Sequence, residues 1–250
     1  DRRALRFARK GAMILALELL GDAMATLIIG NKNYSSWSLR PWVLMEMLGM
    51  PFVEHLEPFE GSDNYDRFRE FSPSGKVPCL VEDGITIWDS LAVVERLAEI
   101  DPRVWPESIA ARAFARSVSC EIHSGFTAVR AACPMICRTQ FRFQKASPAV
   151  DRELARLDEL IAQGLETFRG PFMAGGQFTA VDAFLCPIAV RVSGFQLPLS
   201  SSSLDYCARL LALEPMQRWI SEARAEPWVD EQEELTARKN AVVLTSDQDL

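Results

Sequence analysis

With 250 residues, the chain is long enough for one large domain or two small ones, each with its own core. A hydrophobic content of 48% against 24% charged residues marks a globular protein, and the net charge of -7 argues against non-specific nucleic-acid binding, because nothing here would neutralise phosphates. No apolar run reaches the length of about 18 residues that a membrane span needs. The 6 cysteines are irregularly spaced and read as buried thiols of a reducing compartment.

Residues 1–23 place Arg2, Arg3, Arg6, Arg9 and Lys10 ahead of an apolar stretch at 12–20, which superficially resembles a secretory signal. Glu18 and Asp22 interrupt it, and Met24 stands directly before the first convincing strand, so the segment reads as an upstream extension, disordered or loosely helical. Residues 25–30 have the length and the closing glycine of a buried strand, and 42–48 form an apolar segment of helical length. Between them lies the polar turn Asn33-Tyr34-Ser35-Ser36-Trp37-Ser38-Leu39-Arg40-Pro41, with Pro41 suited to a first helical turn. Serines at such a turn have two uses. A hydroxyl can cap the free amides of the first turn, or it can share a bound anion with them, since a helix N-terminus stabilises negative charge.

Gly49, Met50 and Pro51 break the pattern, and 52–56 alternates as a strand should. A polar stretch at 60–69 offers Tyr65 and Phe68 as buried contacts. The turn-rich Ser72-Pro73-Ser74-Gly75-Lys76-Val77-Pro78 then delivers the chain into a strand at 79–81, an Asp83-Gly84 hairpin and a return strand at 85–87. Asp89 and Ser90 open a helix with Leu91, Val94 and Leu97 on one face. The order is βαβ, a connecting segment, then ββα.

Pro102 and Pro106 mark a linker, after which the strand pattern disappears. Residues 107–138 read as one long helix that Pro134 kinks or shortens, with His123 midway along it. Cys133 and Cys137, four apart, read as packing residues because no further ligand completes a metal site. Ser147 and Pro148 supply an N-cap and a first helical residue, followed by Val150, Leu154, Leu157, Ile161, Leu165 and Phe168 along one face. Gly170 and Pro171 end that helix, Thr179 with Asp182 forms a capping box for the next, and Pro187 predicts a kink within it. Residues 200–203 read as a loop and 204–225 as two short helices parted near Glu214 and Pro215. After Trp228 the charged tail reads as a surface helix that frays.

Four pieces of this pattern resemble cytosolic glutathione transferases, in the order and spacing of that family. Tyr34-Ser35-Ser36-Trp37-Ser38 is similar to the Ser-Ser-Cys-Ser segment of zeta-class enzymes and their bacterial relatives. Gly75-Lys76-Val77-Pro78 resembles the loop that holds a cis-proline, Asp89-Ser90 the acidic-serine pair, and Phe178-Thr179-Ala180-Val181-Asp182 the capping box of the sixth helix. The resemblance runs from about residue 25 to about residue 228.

It implies an α/β plus all-α fold: a thioredoxin-like glutathione-binding domain over 24–100, an all-helical bundle domain over 107–228 and a tail at 229–250. It also implies a cytoplasmic, homodimeric transferase of detoxification that takes glutathione as co-substrate and a small electrophile, with no metal, nucleic-acid or membrane partner. Ser35 matches the catalytic serine. A hydroxyl donating to the sulfur, helped by the helix end, would favour the thiolate of a thiol whose free pKa is about 8.5. Ser36, Trp37, Lys76, Val77, Pro78, Asp89 and Ser90 fall at glutathione-binding positions. Main chain at Val77 would pair with the cysteinyl backbone, and Asp89 and Ser90 would hold the γ-glutamyl end. An exposed turn lysine remains the alternative for Lys76. Tyr34, His123, Phe126 and Arg130 would border the second substrate, although a lone histidine is more often a satisfied structural residue. Trp37 stands where zeta-class enzymes carry cysteine, and the absence of cysteine from 34–38 argues against thiol–disulfide exchange. Two alternatives to a transferase stay open: a glutathione-dependent isomerase of the maleylacetoacetate type, and a non-catalytic interaction protein that keeps the fold.

Overall fold

The computed structural model describes residues 24–61 and 63–246. The extension at 1–23, read above as disordered or loosely helical, lies outside the described residues. Strand β1 (Ala25–Ile29) is buried at every position and occupies the centre of a four-stranded sheet. It pairs in parallel with β2 (Phe52–Leu56) and antiparallel with β3 (Cys79–Glu82), which pairs in turn with β4 (Ile85–Ile87). Its side chains alternate between the two faces of the sheet. Leu27 and Ile29 join the main core, whereas Ile28 packs with Phe68, Phe71 and Cys79 on the other face.

Helix α1 (Ser36–Leu48) reaches back from Pro41 into the stretch read as a polar turn, because its polar first turn is satisfied by tertiary partners rather than by solvent. It ends at Gly49, whose left-handed φ of 65° a glycine adopts without strain. In the one-turn α2 (Tyr65–Phe68) only Phe68 is buried. Tyr65, expected inside, is exposed, because the aromatic cluster of Phe59, Phe68 and Phe71 fills that face without it. Helix α3 (Ser90–Ile100) buries Val93, Val94 and Leu97, and a short 3-10 turn (Pro102–Val104) leads out of this α/β part.

The helix expected over 107–138 is divided into α4 (Ile109–Ser124) and α5 (Thr127–Ala132) at Gly125 and Phe126, the latter with φ 55°. Cys133 and Cys137 therefore do not share a helix face, although both are buried as packing residues. Beyond Pro134 the chain turns into β5 (Thr139–Phe143), a strand hidden by its short length. Helix α6 (Pro148–Phe168) starts as its cap predicts, with the Ser147 hydroxyl accepting from the Val150 amide. Helix α7 (Ala180–Phe195) is the central, almost wholly buried helix and carries Pro187 inside it. Helices α8 (Ser201–Leu211) and α9 (Glu214–Ala225) follow; the expected loop at 200–203 is instead the cap and first turn of α8, with Ser200 accepting from the Ser203 amide.

The tail is folded more fully than a fraying helix. After α10 (Glu231–Asn240), β6 (Ala241–Ser246) returns to pair antiparallel with β5. The pair is anchored by Phe141, fully buried and stacked on Phe195 of α7 at 4.7 Å.

Asp182 is buried and collects the amides of Met173 and Thr179 at 2.9 Å each, together with the Tyr206 hydroxyl at 2.8 Å. Removing the carboxylate strands three buried donors, each costing about 1–3 kcal/mol. Asp182→Ala should therefore lower unfolding stability by about 3 kcal/mol or more, read as a fall in the urea midpoint at constant slope, with Asp182→Asn costing less.

Candidate active site

The site begins in the loop that carries β1 into α1. The Asn31 carbonyl accepts from the amides of Tyr34 (3.1 Å) and Ser35 (2.8 Å), closing a tight turn. The Asn31 side chain accepts from the Phe59 amide at 2.6 Å and ties the turn to the segment after β2. Ser35 occupies the N-cap position of α1, yet its side chain caps nothing. Its hydroxyl lies 2.7 Å from that of Ser38, which itself accepts from the Gly30 amide at 3.1 Å. No serine hydroxyl therefore occupies the positive end of α1, which leaves that end available to a negative group.

Three arginines lie beneath this turn. Arg191, on α7 and 6% exposed, donates to the Ser36 hydroxyl at 3.3 Å and to the carbonyls of Cys133 and Pro187. Arg40 and Arg130 place their guanidiniums 4.1 and 4.4 Å from the Trp37 ring centroid. Arg40 also donates to Ser90 Oγ at 3.4 Å, while its Nε has no partner among the described residues. Burial, reinforced by the neighbouring guanidiniums, pushes Arg40 down to about 9 and Arg191 down to about 10, and burial pushes Arg130 down as well. All three stay cationic at neutral pH, so an acidic protein presents a positive floor under its serine turn.

His123 stands edge-on to Trp37 at 5.2 Å. Burial lowers its pKa, against the opposing pull of Asp89, which keeps the ring neutral at neutral pH. One tautomer satisfies both contacts: Nδ1 accepts from Arg40 (3.3 Å) and Nε2 donates to Asp89 (3.3 Å). Asp89 also caps α3, accepting from the amides of Leu91 and Ala92.

A cleft of about 820 Å³ opens above the floor. Tyr34, Ser35, Ser36, Trp37, Lys76, Val77 and Arg130 all line it, so seven of the residues singled out in the sequence meet at one place. The Val77–Pro78 peptide is cis, as is Trp88–Asp89. Pro78, Asp89, Ser90, His123 and Phe126 are not among the lining residues. Ser90 is fully enclosed beneath Arg40, and Asp89 is half-exposed at the start of α3. His123 stands behind Trp37, and Phe126 borders a separate hollow with Glu121 and Arg152. The sequence reading missed Arg40, Arg191 and the contribution of α10, whose Asp230, Gln232 and Glu233 form part of the cleft wall. An arginine within the apolar run 183–192 was the visible signal for Arg191. Glu233, raised mainly by burial and then by Asp230, gave none.

The family model "Glutathione S-transferase, N-terminal domain" matches residues 34–100, the segment that carries the serine turn and the cis-proline loop. A probable maleylacetoacetate isomerase of Caenorhabditis elegans is 30% identical over 175 residues, covering 68% of this chain and 79% of the relative. The chain belongs to the glutathione S-transferase family. Glutathione S-transferase DHAR2 of Arabidopsis thaliana is 34% identical over 163 residues, covering 64% of the chain and 66% of that protein. Among crystal structures, a glutathione transferase homolog from Burkholderia with bound glutathione superposes at a TM-score of 0.63 with 20% identity, over 81% of this chain and all of the other. That likeness establishes the fold. This glutathione S-transferase has a thioredoxin-like N-terminal domain followed by a helical C-terminal region.

In this transferase the tyrosine beside the serine is already engaged. The Tyr34 hydroxyl donates to Glu234 of α10 (3.0 Å) and accepts from Arg138 (2.5 Å). Burial first, and then the Glu234 charge, push Tyr34 up to about 12, so at neutral pH it is a neutral donor committed to α10. Glu234→Gln removes the charge but not the burial. The Tyr34 ionisation should fall by about one unit, about 1.4 kcal/mol, while remaining above 10, as followed by NMR of ring-labelled tyrosine.

Proposed function

We propose that the cleft binds glutathione along the serine turn and the Lys76–Val77 segment, and that Ser35 activates its thiol for attack on a small electrophile. The observation that carries this reading is the combination at one point of a non-capping hydroxyl, the open end of α1 and three guanidiniums, those of the buried Arg40 and Arg191 and of the half-buried Arg130. All three favour a thiolate over a thiol. A hydroxyl donating to the sulfur supplies a charge-assisted hydrogen bond, while the helix end and the guanidiniums supply positive potential in a partly water-free site.

In the proposed binding mode Ser36 and Trp37 flank the cysteinyl part, and the Val77 main chain beside Pro78 pairs with the peptide backbone. Lys76 faces a carboxylate. Asp89, reachable at the start of α3, meets the γ-glutamyl ammonium, while the enclosed Ser90 acts from behind by holding Arg40. Tyr34, Arg130 and the first turn of α10 border the electrophile. The thiolate sulfur forms a bond to the electrophilic carbon, and either a leaving group departs with the bonding pair or a double bond's pair moves away to be protonated.

In domain terms, 24–100 would be the glutathione-binding domain and 107–228 the helical domain. The tail from 229 would belong to the second of these, since α10 forms part of the cleft wall. Assembly as a cytoplasmic homodimer with a role in detoxification belongs to the same proposal. Support for a dimer comes from the family and from exposed apolar side chains such as Ile85, Trp88 and Ile109.

A second reading, glutathione-dependent isomerisation, is favoured by relatives that bear the name maleylacetoacetate isomerase, the rat protein among them at 27% identity over 191 residues. There the thiolate adds, the adduct rotates about the former double bond and the thiolate leaves. The two are separated by stoichiometry, since a transferase consumes one glutathione per product and an isomerase consumes none. A non-catalytic interaction protein has no need of an open helix end beside a hydroxyl that caps nothing.

Ser35→Ala should leave glutathione binding within a few fold by calorimetry. It should raise the bound thiol pKa, followed by ultraviolet absorbance, by about one to two units, at about tenfold in thiolate population per unit. Equal pKa values in the two proteins would remove Ser35 from the mechanism, and no binding at millimolar glutathione would discard both enzymatic readings.

A further inference from the structure

We infer that Glu226 is a positioning residue for Ser35: its carboxylate, supplied from the end of α9, fixes the loop that presents the thiol-activating hydroxyl. The inference rests on the role proposed above for Ser35. Glu226 uses both oxygens on consecutive main-chain amides, accepting from Lys32 N at 2.6 Å and from Asn33 N at 3.0 Å. Two bonds to neighbouring amides define the orientation of the peptide between them, which one bond would leave free to swing. The next residues inherit that orientation, because the carbonyl of Asn31 gathers the amides of Tyr34 and Ser35. From the opposite side the Asn33 side-chain oxygen accepts from the amides of Cys137 (2.8 Å) and Arg138 (3.1 Å). The loop is thus held by main-chain and side-chain bonds that reach across from the helical region, with Glu226 the carboxylate that takes two of its amides.

A structural, an electrostatic and a positioning role predict different signs. A negative charge near a sulfur disfavours the thiolate, so removing it by Glu226→Gln would on electrostatics alone lower the bound thiol pKa. A merely structural role would reduce stability and leave that pKa where it is. Loss of positioning raises it, since glutamine offers one acceptor and turns an amide donor toward the second N–H.

The experiment measures the pKa of bound glutathione in the full-length protein and in Glu226→Gln, Glu226→Asp, Ser35→Ala and Glu222→Gln. Glu222 contacts the Lys32 ammonium and no loop amide, so its variant serves as the stability control. The expected result is a rise in Glu226→Gln of at least half the rise in Ser35→Ala, with kcat falling more than KM changes. Glu226→Asp, which keeps two oxygens on a shorter arm, should rise less. Glu222→Gln should unfold earlier with its thiol pKa unmoved. Should Glu226→Gln not fold, Glu226→Asp carries the test with its smaller rise. A shifted Ser35→Ala beside an unmoved or lowered Glu226 variant overturns this inference alone. An unshifted Ser35→Ala overturns the role of Ser35 and the inference with it.

Discussion

The buried ammonium of Lys32 is the constraint around which the two halves of this protein are joined. Lys32 is 4% exposed, and a lone charge so placed would be strongly unfavourable. Its partners come from both halves: Glu54 on β2 at 2.8 Å and Glu222 on α9, with Trp42 of α1 and Trp219 of α9 4.9 and 5.4 Å from the cation. The Lys32 carbonyl accepts from the Trp219 indole at 2.9 Å. Separating α9 from the sheet would leave Glu54 as the ammonium's one carboxylate partner among the described residues and strand a carbonyl, so the interface is held by the cost of opening it more than by the net worth of each ion pair. The residue that bears this constraint lies three positions before Ser35, so one short loop carries both the joint between the halves and the serine turn.

A second consequence concerns charge. A net charge of -7 suggests a surface hostile to anions, yet the serine turn rests on Arg40, Arg130 and Arg191. Net charge governs solubility and long-range steering, whereas the local field inside a cleft is set by the few groups that point into it. The arginines are held there by aromatic faces, carbonyls and hydroxyls with few carboxylates close by. Asp89 is an acidic group whose charge acts on Arg40, and it is shared with His123 and with the start of α3. A guanidinium without a dedicated carboxylate keeps its field available to a ligand. Asp230, the cap of α10, and Glu233 line the same cleft, and the charges of Glu233 and Arg191 act on one another.

Local signals made much of the fold legible. The strands at 52–56 and 85–87, the caps at Ser147 and Asp89 and the Thr179–Asp182 box depend on residues close in sequence, and each is where short-range chemistry places it. Failures arose where distant partners decide. The first turn of α1 is polar and reads as loop, but Ser38 and Arg40 find partners on Gly30, Ser90 and His123 and so can be helical and buried together. Strands β5 and β6 lie about a hundred residues apart and are stabilised by each other and by α7, so neither sequence announces the pair. The site shows the same division. Serine turn and cis-proline loop are contiguous motifs, whereas Arg191, Glu226 and α10 reach the cleft only through tertiary packing.

Ser35 itself shows why a cap position can become a reactive one. A serine that caps spends its hydroxyl on an amide of the first turn, and then neither the hydroxyl nor the amide is available to a ligand. In this chain Ser38 draws the hydroxyl inward to 2.7 Å, and Ser38 in turn is fixed by the Gly30 amide at the end of β1. The helix keeps its first main-chain bond, from the Leu39 amide to the Ser35 carbonyl, so it gives up a side-chain cap worth about 1 kcal/mol and little else. What it retains is an uncapped positive end beside a hydroxyl whose position is set by a neighbour rather than by the helix. A ligand sulfur entering there can take the hydroxyl's proton as a hydrogen bond without breaking a cap, which makes the serine turn a preorganised donor at the cost of a small loss in helix stability.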